Sequence, residues 1–155
     1  MARATVDPLR LDQQLCFALY AASRAVTRAY APVLAPLGLT YPQYLVLLVL
    51  FEADLRSVRE LGEALGLDSG TLTPLLKRLE ASGLVKRKRD PEDERVVRIS
   101  LTRKASAMHE TLRGVPGQMA CKFGVDPDRP GDLAEIGRLR EALHRLTRRL
   151  EAPVE

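Results

Sequence analysis

The apolar positions of this chain change period twice, and those changes divide it into parts. From Asp7-Pro8, an acidic cap followed by proline at a first helical position, a helical pattern runs to about Leu34, and Pro32, Pro36 and Gly38 break it up. "TYPQ" at 40–43 reads as a capping box, Thr40 with Gln43, opening the apolar helix "YLVLLVLFEA". "SVRE" at 57–60 is a second box, before the short helix "RELGEAL". "GLD" then turns the chain into a longer helix, "SGTLTPLLKRLEASG", ended by Gly83. Leu72, Leu75, Leu76 and Leu79 give that helix one apolar stripe to hold it on the domain.

After Gly83 the period drops to two. "LVKRKRD" and "RVVRISLT" read as strands, the second alternating Val97, Ile99 and Leu101 with Arg98 and Ser100, and "PEDE" is the polar turn between them. Two such strands need support, so they lean on the preceding helices. Thr102 caps a helix that reaches about Cys121, and "GVDPDRPGD" is a loop. The last helix places Ile or Leu at 136, 139, 143, 146 and 150, a heptad seam over about two heptads. That length suits a helix packed on a partner subunit or on its own core.

The pattern predicts a mainly α fold with a small β-hairpin, a single domain over 1–155. A helix-turn-helix with its hairpin occupies 57–102, and flanking helices occupy 8–37 and 103–152. No apolar run approaches the roughly 18 residues that cross a bilayer, and the N-terminus lacks a signal-peptide hydrophobic segment. The expectation is a soluble, cytoplasmic protein with no membrane partner. Its two cysteines are expected to rest there as thiols.

Charge sharpens this picture. The net charge is +4, but Lys77 to Lys104 holds ten basic residues against five acidic ones, +5, leaving −1 for the remainder. Excess positive charge confined to one segment is either a solvated face or a local nucleic-acid footprint. A short helix, a three-residue turn with glycine, a longer helix and a basic hairpin favour the second, with the longer helix in a major groove. Ser69, Thr71 and Thr73 lie in its first turns, within reach of bases or phosphates, although each also suits simple capping. Lys77 and Arg78 follow where they neutralise phosphate, and Arg89 extends the basic strand. Pro74 is tolerable if the helix proper starts near Gly70 or Thr71.

"LGEALGLDSGTLTPLLKRLEASGLVKRKRDPEDERVVRISLT" resembles the winged helix-turn-helix of the MarR family of bacterial regulators, and the wing "DPEDER" before alternating apolar residues and "LT" is specific to it. "LCFALYAASRAVTRAYAPVLAPLGLTYPQYLVLLVL" is similar to a narrower branch, the organic hydroperoxide resistance regulators. The resemblance implies a homodimeric repressor on an inverted-repeat operator of double-stranded DNA, without a cofactor or metal, released when organic hydroperoxide oxidises a cysteine. It places the sensor on Cys16, its hydrogen-bonding tyrosines on Tyr20 and Tyr30, the minor-groove arginine on Arg95 and a tether for it on Asp93. In members with two cysteines, the second resolves the sulfenic acid into a disulfide between subunits, which here falls on Cys121.

The residues around Cys16 can also be read by themselves. Tyr30 returns to within about 40° of the same helix face but about 21 Å further along the axis. If the two side chains meet, Tyr30 comes from a second copy crossing antiparallel near Ser23, where "AASRA" is small. Phenol donors favour a thiolate, the reactive form, whereas Asp12, one turn earlier, opposes a second negative charge. The opposing reading makes Cys16 core filler.

Two rivals follow. In one, a MarR-type repressor is released by a small aromatic ligand bound between the dimerisation helices and the winged helix, with Cys16 structural. In the other, the chain is a thiol peroxidase, which leaves the basic hairpin unexplained. His109 and His144 lie on helices without a paired Cys or carboxylate at metal-ligand spacing, and no catalytic constellation appears, so the expectation is a regulator and not an enzyme.

Overall fold

The computed structural model describes residues 9–126 and 128–152, which fall into two compact units, Met1–Arg113 and Gly114–Glu155. Asp7-Pro8, the expected helix opening, lies outside the described residues. In the first unit a 3-10 turn, Leu11–Gln13, precedes α1, Leu15–Leu34, because Gln14 is extended and interrupts the helical path. Asp12 is therefore not one turn back on the helix of Cys16, as the sequence suggested, but in the turn before it.

α1 buries only Leu34. A second 3-10 turn, Ala35–Leu37, ends at Gly38, whose φ of 69° is left-handed. α2, Tyr41–Glu52, opens with the expected capping box, the Thr40 N–H donating to Gln43 Oε1 at 2.9 Å. Its sequence is apolar on nearly every side, and Tyr44, Val46, Leu47 and Leu50 are buried.

β1, Arg56–Ser57, leads into α3, Val58–Leu65, through the second capping box. Ser57 N–H donates to Glu60 Oε2 at 2.6 Å, and Glu60 N–H donates to Ser57 Oγ at 3.1 Å. Gly66, at φ 62°, closes α3. Gly62 lets the turn fold back on the helix: a Cβ there would lie 2.8 Å from the Leu67 carbonyl oxygen. α4, Ser69–Ala81, buries the predicted stripe of Leu72, Leu75, Leu76 and Leu79, worth about 2 kcal/mol for each leucine removed from water. These meet Leu61, Leu84, Val85 and Ile99 in one core.

β2, Val85–Arg89, and β3, Val97–Leu101, form the expected antiparallel hairpin with Arg87 opposite Ile99. The sheet has a third strand that the sequence pattern did not predict. β1 pairs antiparallel with β3, Arg56 opposite Ile99 and Ser57 opposite Arg98, giving the order β1-β3-β2. Two residues carry no periodicity, so β1 was invisible.

Thr102 caps the next helix as expected, its Oγ1 accepting from Ala105 N–H at 3.2 Å. That helix does not run unbroken to Cys121. The first unit ends with α5, Arg103–Ala107, and α6, His109–Arg113, separated where Met108 N–H bonds three residues back to Ala105 at 3.0 Å. The second unit opens with α7, Val115–Lys122, in which Pro116 lacks the N–H that a continuing helix requires. It closes with α8, Pro130–Glu151, which takes in three residues expected in the preceding loop because Pro130 suits the first turn. Ile136, Leu139 and Leu143 of the heptad seam are exposed, and none of residues 131–151 of α8 is buried.

Candidate nucleic-acid interface and cysteine site

Asp68 sits at the N-cap of α4. Its Oδ1 accepts from Thr71 N–H at 2.9 Å and its Oδ2 from the Thr71 hydroxyl at 3.0 Å. These two bonds, the backbone one first, hold the Asp68 carboxyl below the usual carboxylate range. Thr71 is thereby committed to the cap, the bland alternative weighed for it, and its hydroxyl proton is no longer free for DNA. Ser69, Lys77 and Arg78 are exposed on α4 and Thr73 is half-buried. Pro74 is the sixth residue of α4, deeper than the sequence reading placed it, because the helix begins at Ser69. Gly70, whose carbonyl is left without the N–H of residue 74, is exposed to water.

The hairpin projects beside α4, and its turn is internally braced. Asp90 N–H donates to the Val96 carbonyl at 2.8 Å, and Val96 N–H to the Asp93 carbonyl at 2.9 Å. At the tip, Arg95 folds onto Asp93, with Nε 3.1 Å from Oδ1 and the Arg95 N–H 3.1 Å from the same oxygen. The Arg95 side chain is nonetheless 91% exposed. The guanidinium holds the Asp93 carboxyl below its ordinary range. Arg89 Nη1 donates to the Glu94 carbonyl at 3.3 Å, bracing the turn from the strand.

One side chain beside the wing escaped the sequence reading. Arg98, in the middle strand, donates from Nε to Asp90 Oδ2 at 2.7 Å and from Nη1 to Glu60 Oε2 at 3.2 Å. Their separations of eight and 38 residues leave no local signal to find. A cleft of about 650 Å3 lies between α3, the start of α4 and the hairpin, with Val58, Leu67, Leu72, Thr73, Arg87 and Arg95 among its lining. α1 contributes nothing to it, so it is not the ligand position the rival reading expected.

Cys16 is the second residue of α1 and is exposed, so it does not fill the core of the chain. The unpaired N–H groups of a first helical turn favour negative charge. Asp12 is neutralised by Arg10, with Nη2 2.7 Å from Oδ2. Tyr20 is exposed, its oxygen accepting from Arg24 Nη1 at 2.9 Å, with the guanidinium 5.5 Å above its ring. Tyr30 lies near the other end of α1, its ring tilted against Tyr41 at 4.6 Å and Tyr44 at 5.8 Å between centroids. Burial pushes the phenols of Tyr30, Tyr41 and Tyr44 up from their ordinary value. The helix rise keeps Cys16 and Tyr30 of one chain about 21 Å apart along the axis. The sequence reading missed Tyr41 and Tyr44, whose spacing of three on α2, in "TYPQY", was the available signal. Cys121 is exposed on α7 in the second unit.

A family described as transcriptional regulator SarA/Rot matches residues 28–112. The organic hydroperoxide resistance transcriptional regulator of Bacillus subtilis (strain 168) is 47% identical over 140 residues, 90% of this chain and 91% of that protein. The chain belongs to the MarR-like SarA/Rot family of winged-helix transcriptional regulators. Another relative, the HTH-type transcriptional regulator TtmR of Methylorubrum extorquens (strain PA1), is 51% identical over 148 residues, 95% of this chain and 76% of that protein. Reduced AbfR of Staphylococcus epidermidis bound to DNA superposes with a TM-score of 0.77 at 36% identity, covering 92% of this chain and 96% of that one. A disulfide form of AbfR superposes with a TM-score of 0.65 at 38% identity, covering 91% and 92%. As a family member this chain is a DNA-binding transcriptional regulator with a winged-helix fold.

Proposed function

We propose that this regulator is a homodimeric repressor that releases an inverted-repeat operator when an organic hydroperoxide oxidises Cys16. One observation carries the reading: an exposed thiol in the first turn of α1, at one end of a helix whose other end presents the Tyr30–Tyr41 pair. Neither phenol hydroxyl of that pair has a hydrogen-bond partner among the described residues. A second α1 crossing the first antiparallel supplies both phenols to the opposite Cys16, and the exposed seam of α8 adds to the same dimer. Tyr20, held by Arg24 through its oxygen lone pair, keeps its proton as a further donor.

The chemistry balances without a cofactor. The Cys16 thiolate attacks the terminal oxygen of the hydroperoxide, the O–O bond breaks, and the alkoxide takes a proton and leaves as the alcohol. Cys16 is then a sulfenic acid. The Cys121 thiol of the partner attacks that sulfur, forming an intersubunit disulfide and expelling water. A disulfide needs Cα atoms within about 7 Å, so its formation constrains the helices that carry the two recognition helices. A loss of about 3 kcal/mol in DNA affinity lowers binding more than a hundredfold.

On the DNA, Ser69, Thr73, Lys77 and Arg78 face the major groove, Arg89 the backbone, and Arg95, held by Asp93, the minor groove. Thr71 and Pro74 shape the start of α4. Non-reducing electrophoresis after a near-stoichiometric dose of organic hydroperoxide tests the switch. Covalent dimer is expected in the native protein and absent in both Cys16→Ser and Cys121→Ser. Covalent dimer in Cys121→Ser refutes the resolving role.

A further inference from the structure

Besides the short β1–β3 ladder, one side chain ties the wing turn to the helix-turn-helix. Arg98 lies in the central strand, opposite Ser57 of β1 on one side and Lys88 of β2 on the other. Its Nε holds the carboxylate of Asp90, the residue that opens the wing turn, at 2.7 Å. Its Nη1 holds Glu60 Oε2 at 3.2 Å and reaches the Leu55 carbonyl at 3.5 Å. Both ends of this bridge are themselves fixed. Asp90 Oδ1 accepts from Glu92 N–H at 2.9 Å, and its side chain is only 14% exposed. Glu60 is half of the capping box that starts α3. Leu55 stands at φ 61°, a left-handed conformation that a leucine keeps only when its surroundings over-determine it. Leu101 N–H, donating to Asp54 Oδ1 at 2.9 Å, anchors the same turn to β3.

A planar guanidinium serves this position because its N–H groups diverge at fixed angles. A lysine is a point charge and cannot hold two carboxylates and a carbonyl in one plane. The ladder between β2 and β3 ends at Arg89 opposite Val97. Beyond it, two backbone bonds close the turn on itself, Asp90 N–H to the Val96 carbonyl and Val96 N–H to the Asp93 carbonyl, and among the described residues Arg98 is the side chain that ties that turn to α3.

We infer that Arg98 is a positioning residue for DNA recognition: it fixes the wing at the angle from which Arg95 enters the minor groove, and it acts through Arg95 without contacting DNA itself. The inference rests on the wing reading of Arg95 proposed above. The structure gives it a distinct signature, because a residue that works through another loses its effect when that other is removed.

The probe is a duplex selected by the native protein from a random-sequence pool, with affinity read by fluorescence anisotropy. Arg98→Gln is expected to lower affinity about tenfold in the native background and less than about twofold in the Arg95→Ala background. Hydroxyl-radical protection of the flanking minor groove is expected to disappear while methylation protection in the major groove stays. Should Arg98→Gln fail to fold, Asp90→Asn breaks the same bridge from the wing side and is expected to give the same pattern. If Arg95→Ala leaves affinity unchanged, the wing reading fails, and this inference fails with it. If Arg95→Ala weakens binding while the bridge variant adds its full effect on top, or leaves affinity unchanged alone, Arg98 is not acting through Arg95 and only the inference is overturned.

Discussion

Tyr30 of α1 and Tyr41 of α2 meet with ring centroids 4.6 Å apart and ring planes tilted by 44°, so two phenols from different helices sit side by side. Tyr44, at 2% exposure, packs against both, its centroid 5.8 Å from that of Tyr30 and 6.5 Å from that of Tyr41. On the proposed function, the pair supplies two phenol donors to the Cys16 thiolate of a second copy.

Replacing either phenol by Phe keeps the ring contact and deletes one donor. A hydrogen bond to a charged group contributes about 1.5 kcal/mol, so Tyr30→Phe and Tyr41→Phe should each slow oxidation of Cys16 about tenfold. Stopped-flow trapping of the sulfenic acid reads the rate, and sedimentation should show the dimer intact. Unchanged kinetics would mean that both tyrosines serve only to pack α1 on α2.

The two arms of the DNA interface should separate by their salt response. Arg95→Ala removes the guanidinium that Asp93 holds at the wing tip and, on the proposed minor-groove role, should lower affinity for the selected duplex. Lys77→Ala should weaken binding on every sequence and reduce the slope of log K against log salt by about one. Anisotropy titrations at several salt concentrations measure both. An Arg95→Ala protein with native affinity shows that the wing has been misplaced.

Much of this interface is written locally in the chain. Thr40 with Gln43 and Ser57 with Glu60 are legible because each capping box closes within four residues, and the Leu72 to Leu79 stripe is legible because a helix repeats. The hairpin announces itself by its change of period, and Asp93 beside Arg95 came with the family resemblance. What escaped is non-local. Arg98 finds Glu60 across 38 residues, β1 exists only because β3 passes beside it, and Tyr41 meets Tyr30 only after the chain turns at Gly38. The start of α1 was misread because the extended Gln14 breaks a run whose composition is helical throughout. That break removes Asp12 from the helix of Cys16.

Four carboxylates of the winged helix-turn-helix share one titration behaviour. Backbone N–H groups of Ser57 and Thr71 hold Glu60 and Asp68 below the ordinary carboxylate range, and the guanidiniums of Arg98 and Arg95 do the same for Asp90 and Asp93. A carboxyl whose folded value lies below its unfolded value stabilises the fold above the unfolded value, about 4, and stops doing so as pH falls through the folded value. Thermal melts should therefore be level from pH 7 to about pH 5 and drop below about pH 4. Asp90→Asn should make that drop shallower. A midpoint that falls between pH 5 and 7 would contradict the assignment.

The central claim is that one thiol governs DNA release. Its most direct test follows DNA binding by anisotropy before and after one equivalent of organic hydroperoxide, in the native protein and in Cys16→Ser. Native protein should leave the duplex, with affinity reduced more than a hundredfold, and should return to it after reduction with dithiothreitol. Cys16→Ser should stay bound throughout. Release of Cys16→Ser to the same extent, or native protein that remains bound after complete oxidation of Cys16, would contradict the account.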